Sequence, residues 1–181
     1  MWWRNSLRIA FVAALGALNA ACFQPLYATR SVNGGVPIGA ALSQVQVERI
    51  VVPNGTPESR LALEIENALD FELHGGGGLN SPTHQLKVRM TTNRSSIITD
   101  VASGRVEAEI TGIDSNYTLV ELSSGKTVLN GRTFARVSSD YPGQQQRFAR
   151  VRARQDAETR AAKVIAEAVR TRVASFFVAG T

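Results

Sequence analysis

The sequence predicts an α+β two-layer sandwich in which two helices pack on one face of a four-stranded mixed sheet. Apolar residues recur at helical spacing in two long stretches, near residues 57–73 and 145–177. Four runs rich in Val, Ile and Thr accompany them, and the last three are consecutive and joined by short polar segments. Two helices with one apolar stripe each can cover only one face of such a sheet.

The chain begins with Arg4 and Arg8, the ten-residue apolar run Ile9 to Leu18, and then Asn19, Ala20 and Ala21. A basic start, a short apolar core and a small-residue cleavage site are the parts of an export signal. The run falls short of the about 20 apolar residues needed to cross a bilayer as a helix. Cys22 follows, the only cysteine of the chain. A lone cysteine in an exported protein has no intramolecular disulfide partner, and lipid attachment gives it a role. The expectation is cleavage before Cys22, with diacylglycerol on the thiol and an acyl chain on the new N-terminus. Several acyl chains hold a protein stably at a membrane where one does not. Asn19 stands where bacterial lipoboxes usually carry Leu, with Leu18 one place further out. Phe23 follows the cysteine in place of Asp, which by analogy with lipoprotein sorting in well-studied Gram-negative bacteria favours the outer membrane.

This divides the chain into a signal over residues 1–21, a lipidated N-terminus and tether over 22–44, and one domain over 45–181. The mature 160 residues suffice for a single core. Losing Arg4 and Arg8 leaves 18 of the 20 basic residues against 15 acidic ones, a net charge of +3. That is too little for a nucleic-acid binder.

Pro25 to Leu42, with Gly34, Gly35, Pro37 and Gly39, reads as an extended tether. Val45 to Val52 reads as the first strand, central in the sheet because its second half is apolar on both faces. Pro53-Asn54-Gly55 ends it. Thr56 as a cap, Pro57 at the first helical position and Glu58 at the positive dipole end start a helix. Leu61, Ile65, Ala68, Leu69 and Leu73 form its stripe, and the four glycines Gly75–Gly78 stop it. No Lys-Ser/Thr pair follows those glycines, so they read as a flexible connection, not a phosphate cradle.

Leu86, Val88 and Met90 alternate with Lys87 and Arg89 in the next strand, His84 to Thr92. Asn93 to Gly104 reads as a loop. Val106, Ala108 and Ile110 then alternate with Glu107 and Glu109, but Tyr117 and Leu119 have the opposite parity. The spacing predicts a bulge between Gly112 and Asn116. Ser123-Ser124-Gly125-Lys126 makes a turn into a last strand, Thr127 to Ser138, with a second bulge at Asn130-Gly131. After Asp140-Tyr141-Pro142-Gly143 a long helix runs from about Gln145 to Phe177. Its stripe is Phe148, Val151, Ala157, Ala161, Val164, Ile165, Ala168, Val169, Val173 and Phe176. Eight basic residues between Arg147 and Arg172 face three acidic ones there. Such a helix is either a solvated surface or one that meets an acidic partner or lipid phosphates.

A catalytic or metal constellation is not evident. His74 and His84 flank the glycine loop without metal-ligand spacing, and no Gly-x-Ser-x-Gly elbow occurs. Glu107 and Glu109 share one strand face, the arrangement of a solvated surface before that of an acid/base pair. The protein is expected not to be an enzyme and to need no cofactor or metal.

Two blocks resemble the LPS-assembly lipoprotein family (LptE) in its alphaproteobacterial form. One is Ala21-Cys22-Phe23-Gln24-Pro25-Leu26-Tyr27, close to the family's Cys-Gly-Phe-Gln-Pro-Leu-Tyr but without the glycine. The other runs from Ser138-Ser139-Asp140-Tyr141 through Phe148 to Ala153 and Asp156 to Ala162, and closes with Arg170 to Phe177. The resemblance implies an outer-membrane lipoprotein that plugs and helps assemble the β-barrel LptD and assists delivery of lipopolysaccharide to the outer leaflet. It implies lipopolysaccharide-binding basic residues on the later strands and turns: Arg132 and Arg136 first, then Lys87, Arg89 and Lys126. The alternative is an auxiliary lipoprotein of an ABC-type lipid or solute transporter, which would fractionate with an inner-membrane ATPase.

If Cys22 is acylated, Cys22→Ser leaves the precursor uncleaved or soluble, and a globomycin-type inhibitor blocks maturation. Intact-mass measurement of the mature chain checks this, and an unmodified thiol at its first residue refutes it.

Overall fold

The structure is a computed structural model that describes residues 37–99, 101, 106–140 and 147–179. The leader, Cys22 and the tether up to residue 36 lie outside the described residues. Chain contacts separate Met1–Ile38 from a compact unit, Gly39–Thr181, which is the α+β domain.

The described elements are α1 (Ile38–Leu42), β1 (Val45–Val47), α2 (Pro57–His74), β2 (His84–Thr99), β3 (Val106–Glu121), β4 (Thr127–Asp140) and α3 (Arg147–Ala179). They build one mixed sheet of order β1-β2-β3-β4, with β1 parallel to β2 and the other pairs antiparallel. The helices α2 and α3 pack on each other and on the same side of the sheet. The α+β sandwich expected from the sequence is the fold observed.

The stretch expected to be tether ends in α1, where Ile38 and Leu42 stand four apart around two alanines and Leu42 is buried. The first strand is shorter than expected and lies at an edge, not in the centre. After Glu48 donates its amide to the Leu86 carbonyl, the Ile50 amide donates to Glu66 Oε1 of α2 at 2.6 Å. That bond draws the chain off the sheet and onto the helix. Ile50 is buried and Val51 is 92% exposed, so the apolar run serves a crossover and not a two-sided strand.

Pro57 opens α2 as expected. Thr56 does not cap through its side chain, because its hydroxyl donates back to the Pro53 carbonyl. Leu61, Ala62, Ile65, Leu69 and Leu73 are buried. Gly75, with φ 58°, ends the helix in the left-handed conformation and donates its amide to Phe71.

The segment from Asn93 is strand and not loop. β2 keeps register with β3 from His84↔Glu121 to Ser96↔Glu109, and irregularities appear only near Ile98. Long-range pairing with a full-length partner overrides the weak strand preference of Asn93, Ser95 and Ser96. No bulge interrupts β3 between Gly112 and Asn116. Odd-numbered residues face the helices along this whole stretch: Glu109, Thr111, Ile113, Ser115, Tyr117 and Leu119 are all buried. The parity slip in the sequence therefore marks a change of chemistry along one face. Ala108 and Ile110 belong to the opposite face, and the helix-facing positions near them are polar.

Asn130-Gly131 also stays in register, opposite Thr118 and Tyr117, and the irregularity lies at Val128. The reason for the glycine is the neighbouring ring, because a Cβ at position 131 would run into the Tyr117 ring. In α3 the buried face is Ala157, Ala161, Ala162, Ile165, Ala166, Val169, Val173 and Ala174. Phe148, Val151 and Val164 of the expected stripe are exposed, since the stripe needed to reach the sheet is narrower and richer in alanine than the one read from the sequence.

Gly131→Ala is expected to destabilise the domain by about 1–3 kcal/mol through overpacking against Tyr117. On a Tyr117→Leu background the same change costs markedly less. Urea unfolding of the four proteins checks the coupling, and additive effects refute it.

Candidate functional site

With both helices on one side, none of the described elements covers the other face of the sheet, and the strand register fixes what it displays. β4 contributes Asn130, Arg132, Phe134, Arg136 and Ser138, all at alternate positions, and each is exposed. β2 contributes Lys87, Arg89, Thr91, Asn93 and Ser95, and β3 lies between them with Asn116, Asp114 and Gly112. Arg89, Asn116 and Arg132 fall in one row across three strands, and Asn93, Gly112 and Arg136 in another.

Asp114 organises the β4 side. Arg136 reaches both of its carboxylate oxygens through one nitrogen, Nη2 to Oδ1 at 3.0 Å and to Oδ2 at 2.8 Å, a charge-assisted pair. Arg136 Nη1 also donates to the carbonyls of Ile113 and Ala135. Arg132 Nη2 approaches the same Asp114 at 3.7 Å. One carboxylate thus holds two guanidinium groups and leaves one positive charge over. The Arg136 guanidinium lies 5.5 Å from the centre of the Phe134 ring, which is 64% exposed. Gly112 makes room for this, since a Cβ there would meet Asn93 Oδ1 and the Arg136 side chain.

On β2, Lys87 pairs with Glu48 at 3.4 Å. Arg89 is exposed on this face. Lys126 lies apart, in the turn between β3 and β4 at the end of the sheet. Four of the five basic residues expected from the resemblance therefore share the uncovered face, and Lys126 does not. The sequence reading missed Asp114 and Phe134. The signal for Phe134 was the even-numbered alternation with Arg132 and Arg136, which places a large apolar side chain on the polar face.

The helix-facing side carries a second charged group of different kind. Glu158 of α3 is 2% exposed and receives Arg94 of β2 at 3.2 Å and Arg60 of α2. Glu109 of β3, 7% exposed, receives Arg154 of α3 at 3.0 Å, and Arg94 lies 3.9 Å from it. Glu109 is thus not on a solvated face with Glu107. It is an interior carboxylate that ties strand to helix. The two histidines serve structure as well. His74 Nε2 is bonded to the Val45 carbonyl at 2.9 Å, joining α2 to β1. His84 packs edge-on against the Phe177 ring, 5.2 Å between centres, and beside Phe176. Burial holds its pKa below the usual histidine value, against the opposing pull of Glu121. Among the described residues no group of three or more His, Cys, Asp or Glu could hold a metal ion, and no helix is long and apolar enough to cross a membrane.

The fold recurs in solved bacterial lipoprotein structures. A candidate lipoprotein from Caulobacter crescentus CB15 superposes with a TM-score of 0.60 over 80% of this chain and 97% of its own, at 20% identity. Rare lipoprotein B from Shewanella oneidensis gives a TM-score of 0.50 over 75% of this chain and 95% of its own, at 13% identity. At such identities the likeness is one of fold. No protein-family model matches the chain, and no curated protein matches it significantly.

Removing the acid at the centre of the interior cluster leaves Arg60 only its pair with Glu64 and Arg94 only its approach to Glu109. Because both arginines are partly exposed, Glu158→Ala is expected to lower stability by about 1–3 kcal/mol, and chemical denaturation checks it. A loss below about 1 kcal/mol, the size of an exposed pair, refutes its structural role.

Proposed function

We propose that this chain is a non-catalytic outer-membrane lipoprotein, anchored through Cys22, that plugs and helps assemble an LptD-type β-barrel and assists delivery of lipopolysaccharide to the outer leaflet. The observation that carries the reading is the exposed sheet face, where Arg132 and Arg136 share Asp114, Arg89 stands across Asn116, and Lys87 pairs with Glu48. Lipopolysaccharide presents phosphates and acidic sugars, which guanidinium groups bind by charge-assisted hydrogen bonds. Arg136 is fixed by Asp114 and two carbonyls and lends its charge to the face, while the exposed Arg132 keeps donors for a phosphate. Phe134 offers an apolar contact beside the charges. The resemblance of the Cys22 and α3 blocks to the LptE family, and the fold shared with rare lipoprotein B, support the same reading. A small domain with polar outer faces suits the polar lumen of a wide barrel, which other proteins of that class fill with a plug.

Arg89→Asp with Arg132→Asp is expected to weaken lipopolysaccharide binding at least tenfold while leaving the melting temperature nearly unchanged, since both side chains are exposed. Arg136→Asp also weakens binding but costs stability, because it places a second carboxylate beside Asp114. Binding of labelled lipopolysaccharide to the purified chain checks this, and unaltered affinity refutes the assignment. Gentle extraction of envelopes is expected to yield the chain with a barrel protein several times its size. Recovery of a clean monomer, or of an inner-membrane ATPase complex, refutes the barrel partner.

A further inference from the structure

We infer that the outer edge of β4 receives an extended segment of another protein, added as a further strand and carrying acidic side chains at alternate positions. The bonding pattern fixes which backbone groups that edge presents. The Glu121 amide donates to the Lys126 carbonyl on the β4 side, and the Leu122 amide donates to the Thr83 carbonyl on the β2 side. Odd-numbered residues of β3 therefore turn their amides and carbonyls to β4, and even-numbered ones turn theirs to β2. The register runs without a shift from Leu119↔Leu129 to Ala108↔Asp140, so Thr133, Ala135 and Val137 bond to β3. The backbone groups of Asn130, Arg132, Phe134 and Arg136 point away from the sheet. The Ser138 carbonyl has the same parity and accepts from Arg160 Nη2 of α3 at 3.0 Å, a contact open to an outward carbonyl. Among the described residues, the outward groups from Asn130 to Arg136 have no backbone partner.

Sheet edges are ordinarily blunted by shortness, proline, bulges or cover. β1, the opposite edge, is three residues long, and His74 bonds to its Val45 carbonyl. β4 has fourteen residues, no proline, and no irregularity between Leu129 and Asp140. A row that alternates donors and acceptors at strand spacing is matched by another polypeptide backbone. The charges beside the edge select among such strands. Arg132 and Arg136 share Asp114 on one side of it. On the helix side stand Arg160, paired with Asp156, and the exposed Arg172, which lines a hollow of about 190 Å³ with Thr127 to Asn130. Between Asn130 and Ser138, four guanidinium groups against two carboxylates favour a strand that carries acids. A second copy of β4 would set Arg132 and Arg136 against the same arginines, like charges that disfavour the pairing. Residues 22–36 of this chain contain Arg30 and no acid, so the tether lacks the matching charge. On the reading above, lipopolysaccharide meets side chains of the face; an added strand meets backbone groups of the edge, so either stands without the other.

The test uses the full mature chain, isotopically labelled, and reads amide exchange along β4. In the chain alone, the amides of Arg132, Phe134 and Arg136 are expected to exchange fast and those of Thr133, Ala135 and Val137 slowly. The probe is a blocked synthetic peptide whose one face reads Glu-Thr-Glu and whose other face is Val throughout. At millimolar peptide the three fast amides are expected to slow by about tenfold, with the slow three unchanged. The same peptide with Lys in place of Glu, or with its amides N-methylated, leaves them fast. Arg132→Glu with Arg172→Glu, both at exposed positions, reverses the preference to the Lys peptide. Fast exchange at all three amides in the presence of the Glu peptide overturns strand addition, as does equal protection by the N-methylated or the Lys peptide. Slow exchange without any peptide shows an edge already covered by this chain, and slowing that grows with protein concentration shows a second copy; either result also overturns it.

Discussion

The architecture depends on a covering constraint: two helices shield one face of a four-stranded sheet, and the helix pair must be fastened over strands longer than its apolar stripe. Near β1 the fastening is apolar, with Leu61, Ile65, Leu69, Leu86, Leu119, Ile165 and Val169 all buried. Toward the hairpin tip the same face of β3 turns to Glu109, Thr111 and Ser115, and the apolar core gives way to charge. There Arg60, Arg94 and Arg154 converge on Glu109 and Glu158, tying α2, β2, β3 and α3 together. Interior pairs of this kind contribute less to net stability than an apolar core of equal volume, but they fix register strongly, because a slip leaves a charge without its partner.

That division explains what was legible in the sequence. Element type and order followed from periodicity, because Leu61, Ile65, Leu69 and Leu73 or Leu86, Val88 and Met90 each lie over the apolar part of the core. Two of the misreadings, the loop at Asn93 and the bulge at Gly112, lie where the core is ionic. A strand whose inward positions are Glu109, Thr111 and Ser115, and whose outward ones are Ala108 and Ile110, carries an inverted pattern. Alternation alone then assigns it the wrong face and demands a bulge at Gly112 to restore parity. The loop assigned to Asn93–Gly104 has the same origin, since Arg94 points inward to Glu158 and Ser95 outward.

The candidate site was legible in part for a complementary reason. The resemblance pointed to basic residues on the later strands, and on an edge strand with one solvated face the period-2 alternation of Arg132, Phe134 and Arg136 puts those two arginines on one side. Which residue would neutralise or hold them could not be named from the sequence, since Asp114 reaches them only through the β3–β4 register. Lys126 had the right charge but belongs to a turn, and charge alone carries no information about which face it joins.

The two charged groups on opposite sides of the same sheet show how similar residues serve different ends. Inside, Glu109 and Glu158 draw Arg60, Arg94 and Arg154 together and Glu64 shares Arg60, so three acids meet three guanidinium groups and little is left to offer a ligand. Outside, one carboxylate is shared between Arg132 and Arg136 while Arg89 stands across Asn116. Solvent screens these charges, so their pairing contributes little to folding. Its effect is positional: Asp114 and the carbonyls of Ile113 and Ala135 engage both terminal nitrogens of Arg136 beside Phe134, while Arg132 stays the more exposed cation. Under the proposed lipopolysaccharide reading, cations ordered before the ligand arrives favour affinity. The excess of guanidinium over carboxylate sets the sign of what it can receive.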